Sequence, residues 1–203
     1  MLTIDKGLIK HRAEFLRAIN NHDYELTDGG ILFTKQHAIA HGVYAHDVNG
    51  QDERSDGNLL TTEGMTHMLN TEFHGGTPVG TWYYRLFGAN VSPLATWTGA
   101  NFTANATEIT STTSGWAGAV GFAFNESAAS AANINDTANK ASFTIVMPDN
   151  VTALTIWGTG LDSVATRGDT TGILMGASKF GSARLLYNTD VFNLGWSLTL
   201  TSS

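Results

Sequence analysis

The pattern of apolar and polar positions predicts an amphipathic helix near the start of the chain. Over residues 6–20, apolar side chains recur at helical spacing and charged ones fill much of the rest. The segment 24–36 then predicts a short hairpin with its turn at Asp28-Gly29-Gly30. Residues 51–58 read as a polar loop from their composition.

A second helix is predicted over residues 61–73. Thr61 or Thr62 can cap its N-terminus, and Glu63 suits the first turn because the helix dipole favours a negative charge there. Its apolar stripe consists of Met65, Met68, Leu69 and Phe73, and the helix is expected to end at Gly75-Gly76.

Strand signals dominate beyond Pro78. They are aromatic-rich or alternating segments separated by turn residues, at 81–88, 140–148, 153–161, 172–181 and 192–201. In the second of these, Phe143, Ile145 and Met147 share one face. Residues 89–135 are rich in small polar residues and predict long loops with weak strands. The fold class is therefore mainly β, a β-sandwich of jelly-roll or immunoglobulin-like topology.

These elements predict a chain of two parts. Residues 1–58 form an N-terminal arm with a helix, a hairpin and a polar loop, and residues 59–203 form the β-sandwich domain with its leading helix at 61–73. All seven histidines lie between His11 and His74. The strand-rich part is correspondingly poor in charge.

Composition narrows the classes of function. Charged residues make up 14% of the chain, against about 25% in ordinary globular proteins, and the net charge is −7. Because no basic stripe is present, nucleic-acid binding is not expected. The absence of cysteine excludes disulfides and thiol catalysis. No apolar run or signal-peptide pattern predicts membrane insertion or export.

Three histidines are the strongest candidates for a metal site. His37, His41 and His46, with Asp47 beside the last, could supply ligands to a zinc or nickel ion. A helix would place His37 and His41 on one face, but the segment is at least as strand-like. In a strand, His46 points away from the other two. The favoured interpretation is therefore surface or interface histidines, with no metal site.

The other candidates for chemistry are weaker. Asp52, Glu53 and Asp56 could act as general acid and base, but adjacent acids in a loop are usually solvated. Five tryptophans could form a sugar-binding platform, although aromatic residues in strands usually pack in the core. We predict no catalytic residue and no cofactor, and therefore no enzyme.

Two blocks of sequence resemble a family of small structural proteins of tailed bacteriophages, encoded near the capsid genes. In residues 58–98 the pattern is Asn-Leu, Glu-Gly, an apolar helix, Thr-Trp-Tyr and an Asn-x-x-Pro turn. In residues 132–145 and 169–200, an Asn-x-Ala-x-Phe strand precedes a Thr-Gly-x-Leu segment and a final apolar strand. Residues 11–33 also resemble the start of longer members.

The resemblance implies a virion component without catalysis. The low charge and the arm favour a capsid decoration (cement) protein on the capsid surface, assembled in the host bacterial cytoplasm. It would bind the major capsid protein and form a homo-oligomer, either a trimer or a dimer. The alternatives are a tail or head–tail connector component, or a receptor- or glycan-binding module on the particle.

Within the arm, apolar anchors and basic side chains are expected to contact the capsid. The anchors are Phe15, Leu16 and Ile19, and Arg12 and Arg17 are the expected partners of acidic capsid residues. The alternative is that the same helix packs on its own sandwich.

Overall fold

The fold is mainly β, as predicted, and antiparallel strands make up most of its regular structure. The computed structural model of the protein describes residues 25–27, 30–32, 38–118, 120–125, 129–149 and 151–202. The chain divides into two compact units, Met1–Ile39 with Thr201–Ser203, and Ala40–Leu200, whereas the sequence predicted a division after residue 58. The helix predicted over residues 6–20 lies outside the described residues.

In the first unit, the predicted hairpin is present. Strands β1 (Glu25–Thr27) and β2 (Gly30–Leu32) pair antiparallel, with Leu26 opposite Ile31.

A ten-stranded antiparallel sheet, except for the outer ends of two strands, and two helices belong to the second unit, all within the described ranges. The strands are β3 (Ala38–Val48), β4 (Gln51–Leu60), β5 (Tyr83–Phe87), β6 (Gly115–Trp116), β7 (Phe122–Ala123), β8 (Asn133–Asn135), β9 (Ala141–Val146), β10 (Leu154–Asp162), β11 (Leu174–Leu186) and β12 (Val191–Ser202). The sheet order is β6-β9-β12-β3-β4-β11-β10-β5-β7, and β8 pairs with β12. The helices are α1 (Thr62–Phe73) and α2 (Gly99–Ala106). Neither helix is long and apolar enough to cross a membrane.

The sheet curls around an aromatic core. Strands β7 and β9 are far apart in the sheet order, yet the rings of Phe122 and Phe143 lie 4.7 Å apart. The predicted face of β9 is confirmed, since Phe143, Ile145 and Met147 are all buried. The largest members of this core are Tyr44, Tyr84, Trp116, Phe124, Phe143, Phe180, Phe192 and Trp196.

A smaller apolar cluster packs beneath α2. Phe102 of this helix contacts Phe87 and Trp97 edge to face, with ring centroids 6.0 Å from each. The sequence predicted loops and weak strands here and missed α2. Its start is encoded by Thr98, whose backbone N–H donates to the Asn101 side chain at 2.9 Å, as in a capping box.

The prediction of a polar loop at 51–58 is wrong, because these residues form most of β4. The tight turn Asn49-Gly50 joins β3 to β4, and both residues have positive φ (54° and 73°). Such a turn matches the twist of antiparallel strands, so Val48 pairs with Gln51 directly across it. Polar side chains are tolerated in β4 because most of them are exposed.

Candidate interaction surface

Helix α1 is held firmly at its first turn. The Thr61 side chain caps the helix by accepting from the Gly64 backbone N–H at 3.0 Å. The same hydroxyl donates to the Leu174 carbonyl, and the Thr61 N–H donates to the Met175 carbonyl at 3.1 Å. The predicted cap, start and end of this helix are confirmed, since it ends at Phe73 before Gly75-Gly76.

Glu63 joins α1 to two other elements. Its Oε2 accepts from the backbone N–H of Gly99, the first residue of α2, at 2.8 Å. The same oxygen accepts from the N–H of Leu174, at the start of β11, at 2.7 Å. The sequence identified Glu63 only as a favourable first-turn acid. Its contacts are long-range, so no local pattern predicts them.

The face of α1 that packs on the sheet is its small and polar face. Gly64 lies so close to Met175 that an added Cβ would collide with the Met175 backbone. Further along this face, His67 packs edge to face on Trp82 with ring centroids 5.8 Å apart, and Met68 contacts the main core. A glycine at the crossing point therefore determines which side of the helix faces inward.

The opposite face of α1 carries large apolar side chains into solvent. Met65 is 41% exposed, Leu69 59% and Phe73 84%. With about 200 Å² for each side chain, these fractions leave roughly 370 Å² exposed, the size of patch that in monomers is often functional. We call these three residues the apolar stripe. Of the four residues in the predicted stripe, only Met68 packs against the core.

A cleft opens beside the first turns of α1. It has a volume of about 430 Å³ and is lined by Thr62, Glu63, Thr66, Ala95, Thr96 and Thr98. The Thr62 N–H donates to the Ala95 carbonyl at 2.9 Å, which fixes the loop against the helix. Threonine methyl groups and Ala95 supply apolar contact area, and the Glu63 carboxylate is already bonded to two amides. We call this the threonine cleft.

The three histidines do not converge within the described part of the chain. His37 lies outside it, His41 is exposed on β3, and His46 is fully buried. Arg184 Nε donates to His46 Nδ1 at 2.9 Å, and His46 Nε2 lies 2.8 Å from Asp56 Oδ2. Both ring nitrogens are thus occupied, and burial lowers the pKa of His46. No three His, Asp or Glu side chains among the described residues could hold a metal ion.

The acids of β4 are separated into different ion pairs. Asp52 Oδ2 accepts from Arg184 at 2.7 Å and also pairs with Arg54. Glu53 and Asp47 both bind Lys140 at 2.9 Å. Asp56 accepts from His46 and from the Gly181 N–H, at 2.8 Å each. Since Asp52 and Glu53 are in ion pairs and Asp56 is hydrogen-bonded, the three acids are not arranged as an acid–base pair for catalysis.

A buried ionic cluster connects β5, α2 and β10. Arg85 Nε donates to Glu108 at 2.8 Å, and Arg85 Nη1 lies 3.2 Å from Asp162 Oδ2. Thr103 of α2 donates to Glu108 at 2.6 Å. Burial raises the pKa of Asp162 to about 6. The acids are scattered in sequence and carry no spacing signal, so sequence reasoning missed this cluster, whose contacts are all internal.

The tryptophans do not form one platform. Trp97, Trp116 and Trp196 are buried, and they divide between the two apolar clusters. Trp82 and Trp157 are half-buried. The five residues predicted as capsid contacts, namely Arg12, Phe15, Leu16, Arg17 and Ile19, lie outside the described residues.

No protein-family model matches the chain, and no curated protein sequence matches it. Its function has to be argued from its own residues.

Proposed function

We propose that this chain is a non-enzymatic structural protein of a tailed-bacteriophage particle, and specifically a capsid decoration protein. The observation that carries the proposal is the apolar stripe on α1. A helix fixed by Thr61, Glu63 and Gly64 presents Leu69 and Phe73 to solvent. Exposed apolar side chains on a rigid element are typical of a surface that becomes buried on assembly.

The chemistry of the buried polar groups favours an assembly role over catalysis. A general base needs a free ring nitrogen or carboxylate oxygen near a substrate. His46 is bonded at both nitrogens, and Asp56 accepts from it. Glu63, the only acid among the described residues that line the threonine cleft, accepts from two backbone amides.

The sequence supports the placement on a phage particle. The resemblance of residues 58–98 covers α1 and β5, the elements that present and support the apolar stripe. In the proposal, Arg12, Phe15, Leu16, Arg17 and Ile19 contact the major capsid protein. Several weak contacts made together hold a decoration protein on the shell without high affinity at any one of them.

The test is the copy number of the chain in purified virions, measured by quantitative mass spectrometry against the major capsid protein. A decoration protein is expected in a fixed ratio near that of the capsid protein. A handful of copies per particle would instead assign the chain to the tail or the head–tail connector. Absence from the particle would overturn the proposal as a whole.

A further inference from the structure

The exposed face of α1 carries a protruding side chain at one end and a cleft at the other. At 3.6 residues per turn, Thr62, Met65, Thr66, Leu69 and Phe73 lie within an arc of roughly 100°. Thr62 and Thr66 line the threonine cleft, while Phe73, 84% exposed, stands at the C-terminal end. A cleft of about 430 Å³ is large enough to accept a phenyl ring.

We propose that this face binds the same face of a second copy of the chain, with the two α1 helices antiparallel about a twofold axis at Leu69. In this arrangement Phe73 of each copy enters the threonine cleft of the other. Leu69 packs on its own counterpart, and the flexible Met65 fills space beside the incoming ring. Each copy therefore contributes one Phe73 side chain and one threonine cleft to the contact.

The charges of α1 permit this pairing. The helix contains two acids and no Lys or Arg. Glu63 is bonded to two amides, so Glu72 is the acid left without such a role. In the antiparallel register the two Glu72 side chains are six residues apart along the paired helices, or roughly 9 Å. A parallel arrangement would instead bring the two Glu72 side chains together.

The area suits a dimer of modest strength. The apolar stripe supplies roughly 370 Å² per copy, and a stable interface buries about 800 Å² per partner. Exposed polar neighbours on α1, including Asn70 and Glu72, add to the rim. Even with this rim the interface stays at the small end of specific complexes, so the expected dimer is weak and reversible. The second copy is thus the partner of the apolar stripe. The pairing rests on the proposed function only in that both treat α1 as an assembly surface.

The test is sedimentation equilibrium of the purified full chain over a range of concentrations. A reversible monomer–dimer equilibrium is expected, and Phe73→Ala should raise the dissociation constant at least tenfold, as for a central aromatic anchor. Leu185→Ala is the matched control, because Leu185 is 53% exposed on β11, away from α1. A wild-type chain that stays monomeric, or equal effects of the two substitutions, would overturn the proposal.

Two further measurements separate loss of contact from loss of folding. Thr66→Arg blocks the cleft, whereas Phe73→Ala removes the side chain that enters it. A mixture of the two variants should associate more tightly than either alone, because the mixed dimer retains one intact contact.

The second measurement uses a thiol. Since the chain has no cysteine, Leu69→Cys introduces a single thiol, which is expected to form a disulfide-linked dimer on oxidation. Leu185→Cys is the control and is not expected to form one. Absence of both effects would refute the pairing without bearing on the copy number in virions.

Discussion

Replacement of Glu63 tests whether long-range bonds hold α1 in place. One carboxylate oxygen accepts from the N–H groups of Gly99 and Leu174, at 2.8 and 2.7 Å. Glu63→Ala removes the acceptor and leaves both amides without it. Glu63→Gln keeps a carbonyl oxygen on a side chain of the same length, so both bonds can reform without the charge.

The expected losses follow from the strength of the two bonds. A hydrogen bond to a charged acceptor contributes about 1.5–3 kcal/mol, and a neutral one roughly half as much. Water can reach the half-buried side chain and replace part of the loss. We therefore expect Glu63→Ala to lower the free energy of unfolding by about 3 kcal/mol, and Glu63→Gln by about 1 kcal/mol. For a chain of this size, the larger change lowers the melting temperature by roughly 6–12 °C.

Urea unfolding followed by tryptophan fluorescence and circular dichroism measures both changes. Glu72→Ala is the control, because Glu72 is exposed in the last turns of the same helix, where substitution typically changes stability by less than about 0.5 kcal/mol. The reasoning is refuted if the Ala and Gln variants lose equal stability, since the shared oxygen would then be irrelevant. A Glu63→Ala loss no larger than that of Glu72→Ala would refute it as well.

Two further predictions concern β3 and β4. Burial lowers the pKa of His46 in the folded state below its unfolded value near 6.5, and His46 Nδ1 accepts from Arg184. The contribution of His46 to stability is therefore present above pH 6.5 and is lost as pH falls toward the folded-state pKa. The urea midpoints of wild type and His46→Gln should therefore converge on acidification, and a constant difference would contradict the assignment. Asp162, whose pKa is raised to about 6, acts in the opposite direction in both proteins and cancels from that difference. Gly50→Ala should cost about 1 kcal/mol because Gly50 has a φ of +73° in open space. Gly57→Ala, also in open space and without positive φ, should be neutral or slightly stabilising in the same assay. Equal losses would show that backbone strain is not the cause.

The sequence predicts the strands well where burial alternates along them. In β9 the period of two is explicit, and Phe143, Ile145 and Met147 reach the core as expected. For β4 the composition misleads, since its side chains are polar and mostly exposed. The signal that could have identified it is the Asn49-Gly50 pair between β3 and β4, which predicts a two-residue hairpin turn regardless of the flanking composition.

The orientation of α1 could not be read from its own periodicity. An apolar stripe is normally taken as the packed face, and the sequence places Met65, Leu69 and Phe73 on that stripe. The structure turns the helix so that Gly64 meets the Met175 backbone, because only a residue without Cβ allows that approach. The deciding contact is with a strand more than 100 residues later, so no local window contains it.

If copies of the chain pair through α1 and the N-terminal anchors bind the shell, the pairing affects how the chain is retained on a particle. Pairing through α1 gives each dimer two copies of residues 1–24, and hence two sets of the proposed capsid anchors. Once one set is bound, the second binds at an effective concentration fixed by the dimer rather than by bulk protein. Phe73→Ala should therefore weaken retention on the shell without any change in the anchors themselves. Co-sedimentation with particles would show this as faster loss on dilution, and unchanged retention in a variant shown to be monomeric would separate the α1 face from the function on the particle.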